Sequence, residues 1–366
     1  MPLSFEISNN KKLYFSNKLL LWNAEKNDRI MPWKGEKDPY KIWLSEIILQ
    51  QTRVEQGLGY YNRFIEQYPT VQALAAADET SIFKLWEGLG YYTRCKNLIA
   101  TAKKIANNFA GNFPQTYDGI LALKGIGPYT AAAIASFAFN LPYAVVDGNV
   151  YRVLSRFFGL EMPIDSTEGK KQYAILANEL LPVTTPGIYN QAIMDFGAVI
   201  CKPKVPLCSK CFISKKCGAL LSKKVAFLPI KEKFIVRKIR WFYYFILEYN
   251  GSVFVRKRGP KDIWENLYEF VLIEKEASLV LEKITSEKEF NFLRGKKKIT
   301  EIHISDLYKQ QLTHQTIYGQ FITIQLRKKP SIKGYHQVEK AALEKLPFPK
   351  FINNYIKDKN VPLNLF

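Results

Sequence analysis

The stretch LKGIGPYTA at residues 123–131 decides the fold, because it predicts a tight turn between two helices. Gly125 and Gly127 flank one apolar residue, Ile126, and glycine tolerates the backbone angles that such a turn needs. Pro128 then begins an alanine-rich segment, and proline is favoured in the first turn of a helix. The backbone N–H groups at this helix start can bind a phosphate oxygen. A plain helix–helix connection with glycine caps is the alternative interpretation.

The composition is that of a globular protein with a strong positive charge. Of 366 residues, 47% are hydrophobic and 23% are charged, and at roughly 150 residues per domain the length suggests two or three domains. Lys and Arg number 53 against 33 Asp and Glu, which gives a formal net charge of +20. An excess of this size predicts a polyanionic partner, nucleic acid before membrane.

The sequence offers no segment that predicts a membrane span or export. The most apolar stretch, residues 131–146, is interrupted by Ser136, Asn140 and Pro142. Residues 1–15 lack the apolar centre of a secretion signal. We therefore expect no membrane association and a cytoplasmic location; a bacterial, nucleoid-associated location is expected only from the family resemblance given below.

Helical signals dominate the chain from about residue 11 to residue 219. Apolar residues recur at helical spacing, and glycine and proline turns separate the segments. The predicted helices include residues 40–51, 56–68, 71–77, 81–87 and 94–109. These signals predict a helical core over residues 1–230.

Strand signals take over after residue 229. A basic connector at 231–240 leads into the aromatic run WFYYFILEY at 241–249. The turn Asn250-Gly251 then joins this run to SVFVRKR at 252–258, which predicts a β-hairpin. A second β-rich block lies at residues 314–327, so we predict a separate α+β domain over residues 241–366 and a mainly α protein as a whole.

Four of the five cysteines are crowded into 17 residues with the spacing Cys-x6-Cys-x2-Cys-x5-Cys. They are Cys201, Cys208, Cys211 and Cys217. This crowding in a chain without an export signal favours metal ligation over disulfides. Four sulfur ligands suit either tetrahedral zinc or a [4Fe–4S] cluster, and the spacing alone does not choose between them. Cys95 lies outside the set and is interpreted as a core residue.

Glu46 lies within the apolar run WLSEIILQQT, with Ile42 and Leu49 on its helical face. A carboxyl group in such surroundings is poorly solvated, which favours its protonated form and suits a general acid. A glutamate that points into solvent is the alternative.

Asp147 has the opposite setting, at the predicted N-terminus of the helix that follows VVDGNV. The helix dipole and the free N–H groups there favour an ionised carboxylate, although a simple helix cap explains the residue equally well. One site that joins a neutral acid to a fixed anion has what is needed to cleave a glycosidic bond. The spacing does not establish that two residues about a hundred apart meet.

Five segments in a fixed order resemble the MutY-type adenine DNA glycosylases of the endonuclease III, or helix-hairpin-helix, superfamily. They are WLSEIILQQTRV, WEGLGYYTR, LKGIGPYTAAAI, VDGNVYRVLSR and the cysteine loop. The resemblance covers about residues 13–220 closely and the C-terminal domain more weakly. It implies a two-lobed helix-hairpin-helix core, with a six-helix barrel at about 30–142. The N-terminal helix and about 143–220 form the second lobe, which holds a [4Fe–4S] cluster on the four cysteines.

The resemblance also implies an activity, namely removal of adenine that is mispaired with 8-oxoguanine or guanine in double-stranded DNA. The enzyme is expected to act as a monomer. Glu46 matches the acid that protonates adenine at N7, and Asp147 matches the aspartate that stabilises the sugar cation through a transient covalent adduct. Asn149 matches a polar partner of that aspartate. Tyr129 replaces the lysine that gives related enzymes their lyase activity, so a monofunctional glycosylase that leaves an abasic site is expected.

Further positions match residues of the family that contact DNA. Gly125 and Gly127 belong to the hairpin. Gln51 and Thr52 match contacts to the oxidised guanine strand, while Leu89 matches the wedge pushed into the duplex, with Tyr91 beside it.

The last domain resembles the Nudix-like domain of the same family. IWENLYEF at 263–270 is a diverged form of its Trp-Glu-Phe segment, and no glutamate-rich Nudix helix is found in the sequence. Thr313 and His314 match the loop that reads 8-oxoguanine, although Leu312 replaces its phenylalanine; a surface histidine is the alternative for His314. Basic groups at 256–258, 296–298 and 327–329 are interpreted either as phosphate contacts or as scattered surface charge.

Two other functions compete with this hypothesis. One is a bifunctional pyrimidine-type glycosylase and lyase, which Tyr129 and the added domain disfavour. The other is a non-catalytic helix-hairpin-helix protein that only binds DNA.

Overall fold

The computed structural model describes residues 6–232, 236–278 and 299–358; of residues 299 and 300 only the backbone is described. The described residues divide into two compact units: those of the first lie within 1–76 and 97–234, and those of the second within 77–96 and 235–366. The predicted domain boundaries stay a prediction, but the predicted fold class is confirmed: a mainly helical core is followed by a domain built on a mixed sheet. No helix in the described ranges is both long and apolar enough to cross a membrane.

The helices of the first part match the predicted segments within about two residues. In chain order they are α1 (Asn9–Lys26), α2 (Pro39–Leu49), α3 (Val54–Gln67), α4 (Val71–Ala76), α5 (Glu79–Trp86), α6 (Tyr92–Asn108), α7 (Tyr117–Leu121), α8 (Pro128–Phe139), α9 (Gly148–Phe158), α10 (Thr167–Leu180), α11 (Pro186–Val199) and α12 (Gly218–Leu221). Side-chain caps fix several starts, as at Asp38, whose carboxylate accepts from the Tyr40 N–H at 2.9 Å. These caps supply partners for N–H groups that the first turn leaves unpaired.

The N-terminal helix does not pack on its neighbours in sequence. Phe15, Leu19 and Trp22 of α1 are buried in one core with side chains of α9, α10 and α11, such as Phe157 and Phe196. The pair Phe15 and Phe157 has ring centroids 4.8 Å apart. This long-range packing gives α9 and α11, which carry functional candidates, a rigid base.

The hairpin at 123–131 forms as predicted, but only the first of its two glycines is required by the geometry of the turn. Gly125 has φ +77°, and a Cβ there would lie 2.6 Å from the Cβ of Asn97. Both the backbone conformation and the lack of space for a side chain therefore require glycine at this position. Gly127 has φ −94° and precedes α8, and a Cβ there would meet nothing within 4 Å. Ile126 is buried and anchors the turn.

The second unit contains an eight-stranded mixed sheet. Its strands are β1 (Lys238–Tyr249), β2 (Ser252–Lys257), β3 (Tyr268–Glu269), β4 (Val271–Lys275), β5 (Ile299–Ile304), β6 (Tyr308–Gln311), β7 (Gln315–Leu326) and β8 (His336–Glu339), followed by helix α13 (Lys350–Ile356). The β1–β2 hairpin is confirmed, with Tyr249 opposite Ser252 and positive φ at both Asn250 and Gly251. Strand β1 begins at Lys238, inside the predicted connector, because its first residues pair in parallel with β7.

Candidate active site

Glu46 lies near the middle of α2, in a helix whose residues from Ile42 to Ile48 are all buried. Its side chain is 9% exposed and lines a cavity of about 190 Å³. Burial raises the pKa of this carboxyl group to about 7; a hydrogen bond from the Tyr129 hydroxyl lowers it in part, and the charge of Asp147 raises it further. At neutral pH a substantial fraction of Glu46 is therefore protonated and able to donate a proton.

Asp147 caps the N-terminus of α9 and is held by three hydrogen bonds. Its Oδ1 accepts from the backbone N–H groups of Asn149 and Val150, both at 2.8 Å, and its Oδ2 accepts from the Asn149 side-chain amide at 2.7 Å. Each of these donors stabilises the ionised carboxylate. The side chain therefore has a fixed orientation.

The N–H groups at the helix N-terminus lower the pKa of Asp147, as the sequence led us to expect, but theirs is not the largest effect. Burial is the largest effect and raises the pKa above its usual value, while the three hydrogen bonds and the charge of Arg152 act in the opposite direction. The two carboxyl groups thus differ by what surrounds them: Asp147 has several donors, and Glu46 has the Tyr129 hydroxyl.

Tyr129 stands in the first turn of α8 and connects the two acids. Burial and the charges of Glu46 and Asp147 all hold the pKa of its hydroxyl well above the usual range. The phenol therefore keeps its proton and serves as a hydrogen-bond donor to Glu46. The structure thus brings Glu46, Asp147 and Tyr129 into electrostatic contact within the first unit, which the sequence could not establish.

Asn149 and Arg152 extend this site toward the cysteine loop. Arg152 donates through Nη2 to Asn149 Oδ1 at 2.7 Å and through Nε to the carbonyl oxygen of Cys201 at 2.7 Å. A guanidinium group can only donate, so it fixes the Asn149 amide with Nδ2 toward Asp147. Asn149 therefore positions Asp147, and Arg152 positions Asn149.

The four predicted ligands, Cys201, Cys208, Cys211 and Cys217, all line one apolar cavity. Arg156 lies beside it, with Nη1 3.6 Å from the Cys201 sulfur, and braces the loop by donating to the carbonyl oxygens of Lys202 and Pro203. In the described ranges, no group of three or more His, Cys, Asp or Glu side chains is already arranged to hold a metal ion.

The chemistry of this donor set nevertheless fits an iron–sulfur cluster. Burial raises the pKa of Cys201 and Cys217, and that of Cys211 to about 12, so these thiols need a cationic partner in order to ionise. Four sulfurs around one apolar space, with an arginine that can donate a hydrogen bond to one of them, are compatible with thiolate ligation of such a cluster.

Gln51 and Thr52 follow directly after the helix that carries Glu46. Gln51 is exposed with φ +57°, a backbone conformation that turns the chain out of the helix, and the Thr52 N–H donates to the Leu49 carbonyl at 3.1 Å. Gln51 is thus placed on the surface, and Thr52 is half-buried, next to the helix that positions the acid.

Leu89 and Tyr91 occupy a turn in the second unit. Leu89 is only 6% exposed, whereas a wedge that enters the duplex has to protrude. In this conformation Tyr91 protrudes instead, because it is 44% exposed. The Tyr91 and Thr313 hydroxyls are hydrogen-bonded to each other. Both residues, together with His314, line a cavity of about 630 Å³.

The predicted basic groups differ in what they do. Arg256 and Arg258 both pair with the buried Glu269. Arg258 is itself buried and stabilises the domain instead of forming an open phosphate surface, whereas the Arg256 side chain remains 42% exposed. The group at 296–298 lies outside the described residues.

The sequence-based reasoning missed one wall of the Glu46 cavity. Lys34 and Gln191 line it, and both contact the buried Asp195 on α11. The signal was present, because Gln191 and Asp195 are polar residues four positions apart in a mostly apolar helix.

Comparisons with known proteins agree with this architecture. Residues 44–179 match the family model described as HhH-GPD superfamily base excision DNA repair protein, and residues 243–358 match a NUDIX domain model. Among solved structures, a thermostable thymine-DNA glycosylase is 31% identical and superposes with a TM-score of 0.54, covering 58% of this chain and 98% of that one. The helical unit is therefore that of a helix-hairpin-helix DNA glycosylase.

Named relatives identify the family more closely. The adenine DNA glycosylase of Buchnera aphidicola subsp. Baizongia pistaciae is 35% identical over 308 residues, which are 84% of each chain. The adenine DNA glycosylase of Homo sapiens is 40% identical over 215 residues, which are 56% of this chain and 39% of the human protein. The chain belongs to the adenine DNA glycosylase family, whose members are enzymes that hydrolyse N-glycosyl bonds. The family predicted from the sequence is confirmed.

Proposed function

We propose that this protein binds double-stranded DNA and hydrolyses the N-glycosidic bond of adenine mispaired with 8-oxoguanine or guanine. The observation that carries the proposal is the placement of Glu46, which lines a cavity and has a pKa of about 7, within electrostatic reach of the hydrogen-bonded Asp147. The membership of the chain in the adenine DNA glycosylase family supports the choice of base. A nucleoid-associated location is part of the same proposal.

The two carboxyl groups divide the reaction between them. Adenine leaves the base stack and enters the cavity, because its glycosidic bond is not accessible within a duplex. Glu46 donates its proton to adenine N7, and the bond between C1′ and N9 breaks with its electron pair going to the base. Asp147 faces the positive charge that develops on the sugar, by transient bonding or by electrostatics. Water adds to C1′ and returns a proton to Glu46, so an abasic site remains.

The polar groups around the cavity favour a glycosylase without strand cleavage. A lyase needs an amine that attacks C1′, and the position that the resemblance assigns to this amine holds Tyr129, whose pKa is too high for it to act as a nucleophile. The two lysines that line the cavity are engaged elsewhere. Lys34 Nζ donates to the Arg29 carbonyl at 2.9 Å, and Lys37 Nζ donates to the Phe137 carbonyl at 2.9 Å.

Recognition of the opposite base is assigned to the second unit. The cavity beside Tyr91, Thr313 and His314 combines an exposed aromatic ring with hydroxyl and imidazole groups, which suits stacking on and hydrogen bonding to an oxidised guanine. Gln51 and Thr52 are proposed to contact the same DNA strand, and Gly125 and Gly127 to bring backbone N–H groups to a phosphate.

A duplex cleavage assay tests the function. Under single-turnover conditions we expect adenine release from duplexes with adenine opposite 8-oxoguanine and opposite guanine, and little from adenine opposite thymine. Strand breaks should require alkali, which cleaves the abasic product. Equal release from all three duplexes would contradict the mispair specificity, and breaks without alkali would support the bifunctional lyase.

The same proposal assigns the four cysteines to a [4Fe–4S] cluster in a monomeric enzyme. When bound, such a cluster cross-links the loop at 201–217 through its thiolate ligands. Purified protein should then be coloured, with a broad visible absorption band and about four irons per chain by metal analysis.

Two variants make the cluster test specific. Cys208→Ser should lose both the colour and most of the iron, whereas Cys95→Ala, which alters the cysteine outside the set, should keep them. A colourless protein that contains about one zinc per chain would overturn the assignment.

A further inference from the structure

Two charged side chains at the end of α5 bind the main chain of a segment that is distant in sequence, residues 346–348. Glu87 Oε1 accepts from the Phe348 N–H at 2.9 Å, and Lys84 Nζ donates to the Leu346 carbonyl oxygen at 3.1 Å. The two side chains also bind each other, with Lys84 Nζ 2.9 Å from Glu87 Oε2. This Lys84–Glu87 clamp joins residues 261 and 262 positions apart within the second unit.

The backbone of the clamped segment has few groups of its own with which to bind a neighbour. Phe348 lies between Pro347 and Pro349, and proline has no N–H, so residues 347–349 offer one backbone donor. Phe348 is buried, and a buried N–H without an acceptor is costly. The Glu87 side chain is only 16% exposed, so it supplies a charged acceptor for which water competes little.

On one side the clamp is fixed to the turn that holds Tyr91. Glu87 follows the last residue of α5 and leads directly into that turn. The Leu89 N–H donates to the Trp86 carbonyl oxygen at 3.1 Å, and the buried Trp86 indole donates to the Gly90 carbonyl oxygen at 3.0 Å. The turn is therefore held against the end of the helix that carries the clamp.

On the other side the clamp is connected to the loop that holds Thr313. The clamped segment runs into α13, whose Phe351 packs against Tyr308 with ring centroids 6.4 Å apart. Tyr308 begins β6, and Thr313 lies two residues beyond the end of that strand. The Tyr91 and Thr313 hydroxyls, which bind each other beside the proposed recognition cavity, thus depend on the two supports that the clamp joins.

We propose that Lys84 and Glu87 are positioning residues for recognition of the base opposite adenine, because they hold the Tyr91 ring and the Thr313 hydroxyl at a fixed spacing. The inference rests on the proposed function and adds to it the residues that keep the recognition groups aligned. Neither Lys84 nor Glu87 lines the cavity, so the clamp acts through the segments that it joins. The acid pair Glu46 and Asp147 belongs to the first unit and is not part of this arrangement.

The test compares single-turnover release of adenine opposite 8-oxoguanine with release opposite guanine. Under the proposed function the wild type is faster opposite 8-oxoguanine. Glu87→Met removes both acceptor oxygens at nearly constant side-chain length. It should lower the ratio of the two rates by about tenfold, the scale of one lost hydrogen bond to a charged group. The rate opposite guanine should change little, because that base lacks the oxidised edge that the aligned groups recognise.

Two further variants separate the contributions within the clamp. Glu87→Gln keeps a carbonyl oxygen for the Phe348 N–H and should retain most of the ratio. Lys84→Met loses the contact with Leu346 but leaves the Phe348 N–H with its acceptor, so it should lower the ratio less than Glu87→Met does. The effects of Lys84→Met and Glu87→Met should not add in the double variant, because the two residues form one arrangement.

A matched control breaks a lysine–glutamate pair that has no proposed role in recognition. Lys12 Nζ lies 2.6 Å from Glu179 Oε2 in the first unit. Glu179→Met makes the same replacement as Glu87→Met and should leave the ratio unchanged.

The variants and the wild type decide different questions. An unchanged ratio in folded Glu87→Met protein overturns the inference, and so does an equal loss of rate on both duplexes, since the clamp then only stabilises the fold. If Glu87→Met does not fold, Lys84→Met decides in the same way. A wild type that releases no adenine, or that releases it equally opposite the two bases, overturns the proposed function and its recognition of 8-oxoguanine instead.

Discussion

Replacing Glu46 with glutamine should lower the single-turnover rate of adenine release by about 10²–10⁴-fold, the usual contribution of a general acid. Glutamine keeps the shape of the side chain and its hydrogen-bonding capacity but has no acidic proton for N7. Affinity for the uncleaved duplex should change little. The control is Glu66→Gln, the same chemical change at an exposed position on α3, which should leave the rate unaltered. A Glu46→Gln variant that keeps its rate would mean that the protein uses another acid.

The wild-type rate should also depend on the ionisation of Glu46. The acid is competent only while protonated, so its rate should fall as the pH rises above about 7, by tenfold per pH unit. A rate that stays constant between pH 7 and pH 9 would contradict the assignment of Glu46 as the acid.

The same substitution should raise the free energy of unfolding at alkaline pH. The folded protein binds the Glu46 proton more tightly than the unfolded chain does, since the pKa is about 7 when folded and 4.5 when unfolded. The wild type therefore loses stability as the pH rises from about 4.5 to about 7, and the loss then levels off. Glutamine avoids this loss, so Glu46→Gln should be more stable by about 3 kcal/mol at pH 8 and similar to wild type at pH 4. Denaturant unfolding at the two pH values measures this, and a variant less stable at pH 8 would show that Glu46 is not held in an apolar site.

Local patterns in the sequence predicted the parts of the site that depend on local structure. The apolar run around Glu46 predicted its burial, since a helix that is apolar on all sides is buried among other elements. The hairpin glycines and the Asn250-Gly251 turn were predictable because backbone angles of short turns depend on the residues in them.

Features that depend on contacts distant in sequence were not predictable. The cavity wall around Asp195 joins residues more than 150 positions apart, and no local pattern encodes that pairing. Leu89 is buried although its loop is rich in glycine, because burial is decided by what packs over the loop. The pKa of Asp147 is raised because tertiary burial outweighs the capping donors. The sequence shows those donors but does not show the burial.

Replacing Asp147 with asparagine should lower the rate of adenine release by about 10²–10³-fold while the helix remains capped. Asparagine caps helices as well as aspartate does, and its carbonyl oxygen can still accept from the N–H groups of Asn149 and Val150. What disappears is the negative charge opposite the sugar cation, and losses of this size follow the removal of one electrostatic stabiliser. One cost is structural, because the new NH₂ group meets the NH₂ group of Asn149, whose amide Arg152 prevents from turning.

A second capping aspartate separates the loss of charge from the change in the cap. Asp78 caps α5 through the Ser81 N–H at 2.8 Å, so Asp78→Asn makes the same replacement at a helix start that carries no proposed role in the reaction. Asp147→Asn should unfold at a somewhat lower temperature than Asp78→Asn, because only the former places two NH₂ groups against each other. Affinity for the uncleaved duplex should be nearly alike for the two variants, and only Asp147→Asn should lose the rate. If Asp147→Asn releases adenine within about threefold of wild type, the residue acts only as a cap, since a group that opposes the sugar cation cannot lose its charge without slowing bond cleavage.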